Sequence, residues 1–286
     1  MVFLDFLKST VLVGLLEAAP LMIAAIGFTM IYRLNGFLNI GYAENMTVGA
    51  YVAVTLNTFL GWNIYVSMIP SVLISGIVSV LTYLILFRPA MRKGMDKTEL
   101  VILSVGLAFF IRFSLNAGFT NQIFSYVIPK PAYLSFFGMG ITSTQLICLG
   151  VALIIALVFT LFMYKTNYGM VMRALADNEN LAMTSGINPL KVSIIVWFLA
   201  GAVGGLAGVF SGVFTWINTL IGFNHVLIII MIAIVGGIGS VRGALVVGAF
   251  VGMITTAVTL VSKPLYGVIL LLVIFILILR FRKVRA

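Results

Sequence analysis

Charged residues are scarce in this chain. Asp, Glu, Lys and Arg make up 8% of its 286 residues, whereas a soluble domain of this length has about 25%. Apolar residues account for 62% of the chain, and its mean hydropathy is +1.23. This composition excludes a soluble globular protein. It predicts an all-α polytopic membrane protein in which residues 1–286 form a single transmembrane domain.

Cysteine and histidine are almost absent, which removes most of the side chains that metal sites and nucleophilic catalysis need. The single cysteine, Cys148, lies in an apolar run, so we expect neither a disulfide nor a metal site. The single histidine, His225, begins an apolar run and is interpreted as a structural or interfacial side chain. No GxxxxGKS/T or HExxH pattern occurs. We therefore predict that the chain is not an enzyme and binds no cofactor.

Acidic residues are outnumbered by basic residues, 7 to 17, and the net charge is +10. In a soluble protein this excess would indicate nucleic-acid binding, but in a membrane protein basic residues mark the cytoplasmic loops. We therefore expect no nucleic-acid partner. Thirteen basic residues lie in Arg33, 88–98, 165–191, Arg242 and the tail Arg280–Arg285, whereas Lys8, Lys130 and Lys263 lie in the remaining loops. The first group, including the C-terminus, is predicted to face the cytoplasm and residues 119–143 the outside.

Nine apolar stretches approach the length of about 20 residues that a membrane span requires. Two of them, 45–60 and 223–235, are short and adjoin glycine-rich breaks, a pattern typical of discontinuous helices. We therefore predict about eight or nine transmembrane helices, some of them discontinuous. The nine stretches are 11–32, 45–60, 65–87, 99–118, 144–164, 190–217, 223–235, 243–261 and 264–280.

The first glycine-rich break, residues 34–53, carries Asn39, Glu44 and Asn45 at predicted membrane depth. A carboxylate there costs about 2.5–3.5 kcal/mol on insertion scales. Two interpretations stay open. Either Glu44 lines a translocation path, or it is an acid in the first turn of a helix near the cytoplasmic interface, where the helix dipole stabilises it.

Two further features of the spans have simpler interpretations. The second break, residues 235–253, is interpreted as a tight cytoplasmic turn rather than a substrate contact. Glycines four residues apart in 201–212 are expected to let helices pack closely. Arg112 and Glu17 are the other charges inside predicted spans, where each can extend toward the nearer interface or the two can pair.

A polar segment, residues 168–189, interrupts the apolar sequence. It cannot lie in hydrocarbon, so we expect a cytoplasmic helix that lies across the ends of the spans and contacts a soluble partner. Arg173 and Asp177 are four residues apart and share one helix face, where they either pair with each other or meet that partner. Gly186 is expected to end the helix, and Pro189 to prevent its continuation.

Without catalytic groups, the chain is a channel, a secondary carrier or the membrane subunit of a powered complex. A channel usually has a selectivity filter or a charged ring, and neither pattern is present. An ion-coupled carrier would hold more buried acids than Glu17 and Glu44. The polar segment 168–189 therefore favours a powered complex.

Three stretches resemble a known family, the permeases of ABC importers for branched-chain amino acids. NGFLNIGYAENMTVGAYVA is similar to the first family signature, in which Asn, Glu and Gly follow at intervals of five; here these are Asn39, Glu44 and Gly49. VGGIGSVRGALVVGAFVG is similar to the third signature. YGMVMRALADNENLAMTSGINPLKV resembles the cytoplasmic coupling loop of the family, through Arg173, Ala174, Asp177, Gly186, Ile187 and Asn188.

The resemblance implies a permease subunit in the cell inner membrane that forms the path for a branched-chain or other neutral amino acid. Asn39, Glu44 and Asn45 would line this path. The implied partners are a second homologous permease, two ATP-binding subunits, an extracytoplasmic substrate-binding protein and membrane lipid. Coupling to the ATP-binding subunits would involve Arg173, Ala174, Asp177, Asn178, Gly186 and Ile187.

The chain departs from the family pattern in three places, of which the first is Glu17, an acid that is unusual in the first span. It reads Tyr42-Ala43-Glu44 where family members commonly carry a His-Gly-Glu triplet, and it ends in the basic tail Arg280–Arg285. The substrate alternatives are therefore urea or short amides, and sugars or nucleosides. The alternative from another class is a secondary carrier that works alone.

Overall fold

Helices dominate the structure, a computed structural model that describes residues 2–120, 122–128, 133–136 and 139–281. A short antiparallel sheet pairs β1, Tyr133–Phe136, with β2, Met139–Thr142. The described helices are α1 Val2–Asn35, α2 Glu44–Val54, α3 Ile64–Thr82, α4 Arg88–Arg92, α5 Lys97–Phe119, α6 Ser143–Lys165, α7 Asn167–Asp177, α8 Glu179–Thr184, α9 Pro189–Phe214, α10 Ile221–Gly236, α11 Val241–Val261 and α12 Pro264–Phe281. A 3₁₀ turn, Ile40–Ala43, precedes α2, and π turns Thr55–Phe59 and Tyr83–Phe87 follow α2 and α3.

Seven helices of the described chain are long and apolar enough to cross a membrane. They are Ser9–Asn35, Ile64–Arg92, Lys97–Phe119, Ser143–Lys165, Pro189–Phe214, Val241–Val261 and Pro264–Phe281. The two stretches predicted to be short correspond to α2 with its π turn and to α10, which has 16 residues. The all-α polytopic fold and the two short helices are therefore confirmed.

The centre of the bundle is built on α1 and α9. Each buries 72% of its most apolar stretch, whereas α12 buries 11%. Glycines allow the other helices to approach this pair, as predicted for 201–212. A Cβ on Gly208 would overlap the backbone of Met46 in α2, and one on Gly49 would overlap the backbone of Gly205. Larger residues at these contacts would separate α2 from α9.

The break after α1 carries the chain back into the bundle. The helix ends at Asn35, Gly36 takes a φ of +71°, and the 3₁₀ turn leads into α2. Within this turn the Tyr42 hydroxyl lies 3.0 Å from the carbonyl oxygen of Ala24 in α1 and 3.1 Å from that of Ala200 in α9. Ala24 lies eleven positions before the last residue of α1, and Ala200 lies eleven positions after the first residue of α9. Each of these distances is about 16 Å at 1.5 Å per residue. Because the hydrocarbon core is about 30 Å thick, α2 begins near mid-depth.

The segments predicted to be cytoplasmic gather at one end of the bundle, here termed the basic end. A cleft of about 510 Å³ there is lined by residues from the end of α1, from α4, from α8 and from the start of α9, including Asn35, Arg88, Arg92, Glu179 and Asn188. Lys130 and the tail residues Arg282, Lys283 and Arg285 lie outside the described residues. At the opposite end of the bundle, Phe124 and Ile217 form an antiparallel β-bridge.

The second break forms a tight turn at the basic end, as interpreted. Gly237 and Gly239 have φ angles of +94° and +77°. The backbone N–H of Gly239 donates to the Thr29 hydroxyl at 2.6 Å, and the Arg33 side chain packs against the same glycine. The turn between α10 and α11 is thereby attached to the end of α1.

Candidate functional site

A buried ion pair joins α2 to α5. Arg112 Nη2 donates to Glu44 Oε1 at 2.7 Å, and the two side chains are 9% and 1% exposed. Glu44 is the first residue of α2. Arg112 lies 15 residues into α5, about 22 Å from the basic end. Both charges are therefore removed from water inside the bundle, where each depends on the other for compensation.

The ion pair also lies where two short helices begin. The Thr47 hydroxyl donates to Glu44 Oε2 at 2.7 Å and accepts the backbone N–H of Gly222, in the first turn of α10, at 3.2 Å. Helix N-termini carry partial positive charge. The carboxylate therefore accepts from one guanidinium and one hydroxyl at the start of α2, and the same hydroxyl links it to the start of α10. Discontinuous helices typically create charged sites near mid-membrane in this way.

The guanidinium of Arg112 lies between aromatic rings and keeps unused hydrogen-bonding capacity. Its Cζ is 4.1 Å from the ring centroid of Phe223 and 5.4 Å from that of Phe109, distances typical of cation–π contacts. Among the described side chains, Arg112 Nε and Asn116 Oδ1 are buried without a hydrogen-bond partner. Asn116 lies one turn beyond Arg112 on the same face of α5. This face therefore holds polar groups whose bonds are incomplete.

One of the two interpretations of Glu44 is partly confirmed, whereas its role in a translocation path stays a prediction. Glu44 is an acid in the first turn of a helix, as one of them states. Its predicted placement near the interface is wrong. The Tyr42 hydroxyl, in the 3₁₀ turn before α2, donates to carbonyl oxygens of α1 and α9 that lie near mid-depth.

The expectation that Arg112 extends to an interface is wrong, and so is its pairing with Glu17. Arg112 is buried and pairs with Glu44, so it neither extends to an interface nor pairs with Glu17. Glu17 is exposed and accepts from the Thr256 hydroxyl at 3.2 Å. Sequence reasoning also missed Thr47 and Gly222. The available signal was that an arginine within a span requires an acid at its own depth.

The other two predicted path residues lie in the break but have no hydrogen bond to the ion pair. Asn45 donates through Nδ2 to the Tyr42 carbonyl at 3.0 Å, a side-chain bond to the backbone of the break. Asn39 precedes the 3₁₀ turn, and its buried Oδ1 has no partner among the described residues. A place for Asn39 and Asn45 in a translocation path therefore stays a prediction.

The predicted coupling segment folds as two short helices rather than one. Thr166 caps α7 by accepting the Gly169 N–H at 3.1 Å. Asn178 leaves the helical conformation with φ −157° and ψ 104°, and its side chain caps α8 by accepting the Leu181 N–H at 3.0 Å. A single continuous helix was therefore wrong, because Asn178 acts as an N-cap and starts a second one.

At the C-terminal end of this segment, the expectation for Gly186 is confirmed and the expectation for Pro189 is not. Gly186 ends α8 at φ +82°, with its N–H bonded to the Met183 carbonyl and that of Ile187 to the Ala182 carbonyl, a Schellman motif. Pro189, however, is the first residue of α9 and follows the N-cap Asn188. It therefore starts a helix, a position that proline favours because its missing N–H is not needed there.

Arg173 and Asp177 both lie on α7 but do not pair within the described chain, where the only ion pair is Glu44–Arg112. Arg173 Nη1 donates to the Met163 carbonyl near the end of α6, and its guanidinium lies 5.5 Å from the ring of Tyr164. Ala174, Asp177, Asn178 and Gly186 are exposed, and Ile187 is half-buried. These four exposed residues therefore contribute to the outer surface of the segment, while Arg173 attaches α7 to α6.

A bundle of apolar helices with two short helices meeting at a mid-depth ion pair is the architecture of a membrane transport protein. A family model described as "Branched-chain amino acid transport system / permease component" matches residues 10–279, so the chain belongs to this family.

Curated relatives carry related names. The chain is 28% identical over 253 residues, 86% of its length and 79% of the relative, to the "Probable branched-chain amino acid transport permease protein LivH" of Methanocaldococcus jannaschii. It is 25% identical over 265 residues, 88% and 85% of the two chains, to the "High-affinity branched-chain amino acid transport system permease protein LivH" of Escherichia coli K12. It is 24% identical over 204 residues, 68% and 64%, to the "Guanosine ABC transporter permease protein NupQ" of Bacillus subtilis. No solved structure matches the chain.

Proposed function

We propose that this chain is the membrane-spanning permease subunit of an ABC importer and forms the translocation path for a branched-chain or other neutral amino acid. The observation that carries the proposal is the family match over residues 10–279, which includes the mid-depth ion pair and the α7–α8 segment. The relatives named for branched-chain amino acids cover 86% and 88% of this chain, against 68% for the guanosine permease. A nucleoside is therefore the second candidate cargo.

The α7–α8 segment is proposed to couple this subunit to two separate ATP-binding subunits. Its exposed surface, including Ala174, Asp177 and Asn178, suits a short helix that lies in a groove of a soluble partner. Its inner face buries Met172 and Leu175, and a Cβ on Gly169 would overlap the end of α6. Together with the Arg173 bond to α6, these contacts support a rigid transfer of movement from the ATP-binding subunit to a spanning helix.

The proposed assembly contains a second homologous permease and an extracytoplasmic substrate-binding protein. Phe110 and Phe113 of α5 are 71% and 62% exposed, and Ser114 is exposed between apolar neighbours. A polar group on an outer helix face supports contact with another subunit at that position, since lipid would not solvate it. The positive-inside rule supports a cytoplasmic basic end in the inner membrane, with α7 and α8 on the ATPase side.

Transport assays with and without partners test this function. The chain would be expressed in cells lacking their own branched-chain importers, together with a second permease, ATP-binding subunits and a binding protein of the same importer family. We expect leucine uptake that requires ATP and all the partners. Uptake by this chain alone, driven by an ion gradient, would instead establish a stand-alone carrier. Competition by guanosine but not by leucine would assign the path to nucleosides.

A further inference from the structure

We propose that the Glu44–Arg112 ion pair reads the two charges of a zwitterionic cargo. The cargo carboxylate engages the Arg112 guanidinium, and its ammonium group engages the Glu44 carboxylate. Passage then exchanges one protein ion pair for two cargo–protein ion pairs. This inference rests on the proposed transport of amino acids and adds the groups that recognise them.

Both side chains keep the capacity that such an exchange needs. A guanidinium has five N–H donors in a planar fork that matches a carboxylate. Arg112 contacts Glu44 through Nη2, and its buried Nε has no partner among the described residues. Glu44 accepts one bond on each oxygen, from Arg112 and Thr47, whereas a carboxylate has about four acceptor positions. Because a zwitterion has no net charge, the exchange leaves the total charge at mid-depth unchanged.

The residues around Arg112 indicate that one side of its guanidinium is accessible rather than fully enclosed by packing. The ring that covers the guanidinium, Phe223, is itself 43% exposed. Asn224, the next residue of α10, is exposed, and Asn116 Oδ1 has no hydrogen-bond partner among the described residues. Polar groups of this kind are costly against lipid and typically line a path or an interface. Movement of the Phe223 ring, the nearer of the two rings on the guanidinium, is the step that would let cargo reach it.

The competing explanation is that the pair only holds α5 in place. The structure contains another such attachment, since Ser104 of α5 accepts the backbone N–H of Ile40 at 3.0 Å. An attachment of this kind does not need charges, because a neutral pair of similar size is often as stable as a buried ion pair. A cargo site does need them. Removal of both charges together therefore separates the two explanations.

The main test is leucine uptake by the assembled importer carrying Glu44→Gln and Arg112→Gln together. We expect this double variant to insert and to co-purify with its ATP-binding subunits, but to lose leucine uptake. Glu17→Gln is the matched control, an acid in a neighbouring span that has no ion pair within the described chain, and should keep uptake. A double variant with wild-type uptake would show that the pair is only an attachment. Absence of leucine uptake by the wild-type importer would instead refute the proposed function.

A labelling experiment covers the case in which the double variant fails to assemble. A cysteine at Asn224, in a Cys148→Ser background that still transports, would be alkylated with N-ethylmaleimide. We expect leucine to slow the reaction, while leucinamide, which lacks the carboxylate, and 4-methylpentanoate, which lacks the ammonium group, do not. Equal protection by all three compounds, or protection by none, would overturn the reading of both charges.

Discussion

At the scale of the residue, the consequence of removing one charge depends on where Glu44 lies. An exposed acid in the first turn of a helix contributes only about 0.3–1 kcal/mol. The Glu44 side chain is 1% exposed and that of its partner Arg112 is 9% exposed. Removing either side chain leaves the other as an uncompensated buried charge, and such losses cost about 3–5 kcal/mol. The burial of Glu44 beside Arg112 therefore raises the expected loss of stability on its removal from about 0.3–1 kcal/mol to about 3–5 kcal/mol.

We predict that Glu44→Gln and Arg112→Gln, made singly, each destabilise the purified protein by about 3–5 kcal/mol. Thermal unfolding in detergent would measure the effect, with Glu17→Gln as the reference variant. The combined variant should recover much of the lost stability because no unpaired charge remains. Single variants that unfold at the wild-type temperature would show that the two charges do not depend on each other.

At the scale of the element, glycines at helix crossings fix the position of α2. A Cβ on Gly208 would overlap the carbonyl of Met46, which is backbone and cannot move aside cheaply. By contrast, a Cβ on Gly106 of α5 would meet nothing within 4 Å in the part of the chain that the structure describes. The two positions offer the same substitution in a crowded and in an open environment.

Gly208→Ala should therefore destabilise the bundle by about 1–3 kcal/mol through overpacking. Gly106→Ala should be neutral or stabilising, since alanine is the better helix former by about 0.5–1 kcal/mol. The temperature of unfolding in detergent would report both values. If both substitutions behaved alike, the close approach of α2 and α9 would not matter for stability.

The second element with a specific prediction is α8, whose end depends on Gly186. Gly186→Val places a β-branched residue at φ +82°, where L-residues are strained. We expect the variant to insert but to lose its ATP-binding subunit on purification, or to keep it without hydrolysis stimulated by loaded binding protein. Gly94→Val is the matched control, because Gly94 has φ +78° and, like Gly186, no atoms within 4 Å of an added Cβ.

The two glycine variants carry the same backbone strain in different turns, so their comparison isolates the position. Gly94→Val should keep stimulated hydrolysis. If both variants lost it, the defect would be a general one. If both kept it, the end of α8 would not take part in coupling.

At the scale of the whole molecule, the basic end and the opposite end are predicted to face different compartments. In a Cys148→Ser background, Asn180→Cys should react with a membrane-impermeant thiol reagent only from the inside, because basic loops stay in the cytoplasm. Ser125→Cys, an exposed position at the opposite end, should react only from the outside. Labelling of Asn180→Cys in intact cells would reverse the orientation and remove the proposed contact with the ATP-binding subunits.

Much of this architecture was determined by the sequence alone. Long apolar runs predict membrane spans wherever they occur, because every backbone group in lipid must be bonded within its own helix. The short helices α2 and α10, the end of α8 at Gly186 and the tight turn at Gly237 were likewise predicted from local composition. The two glycine positions were predictable because glycine adopts positive φ angles readily in any fold.

The tertiary structure alone decided which polar groups meet. Arg112 and Glu44 are 68 positions apart, and their pairing depends on the depth at which α2 begins. That depth is set by the contacts of Tyr42 with α1 and α9, which no local pattern records. Likewise, Arg173 bonds to α6 rather than to Asp177 because the packing of α7 brings the Met163 carbonyl within its reach. Local sequence reports whether a segment prefers lipid or water, whereas the partner of a buried charge is determined by how the helices pack.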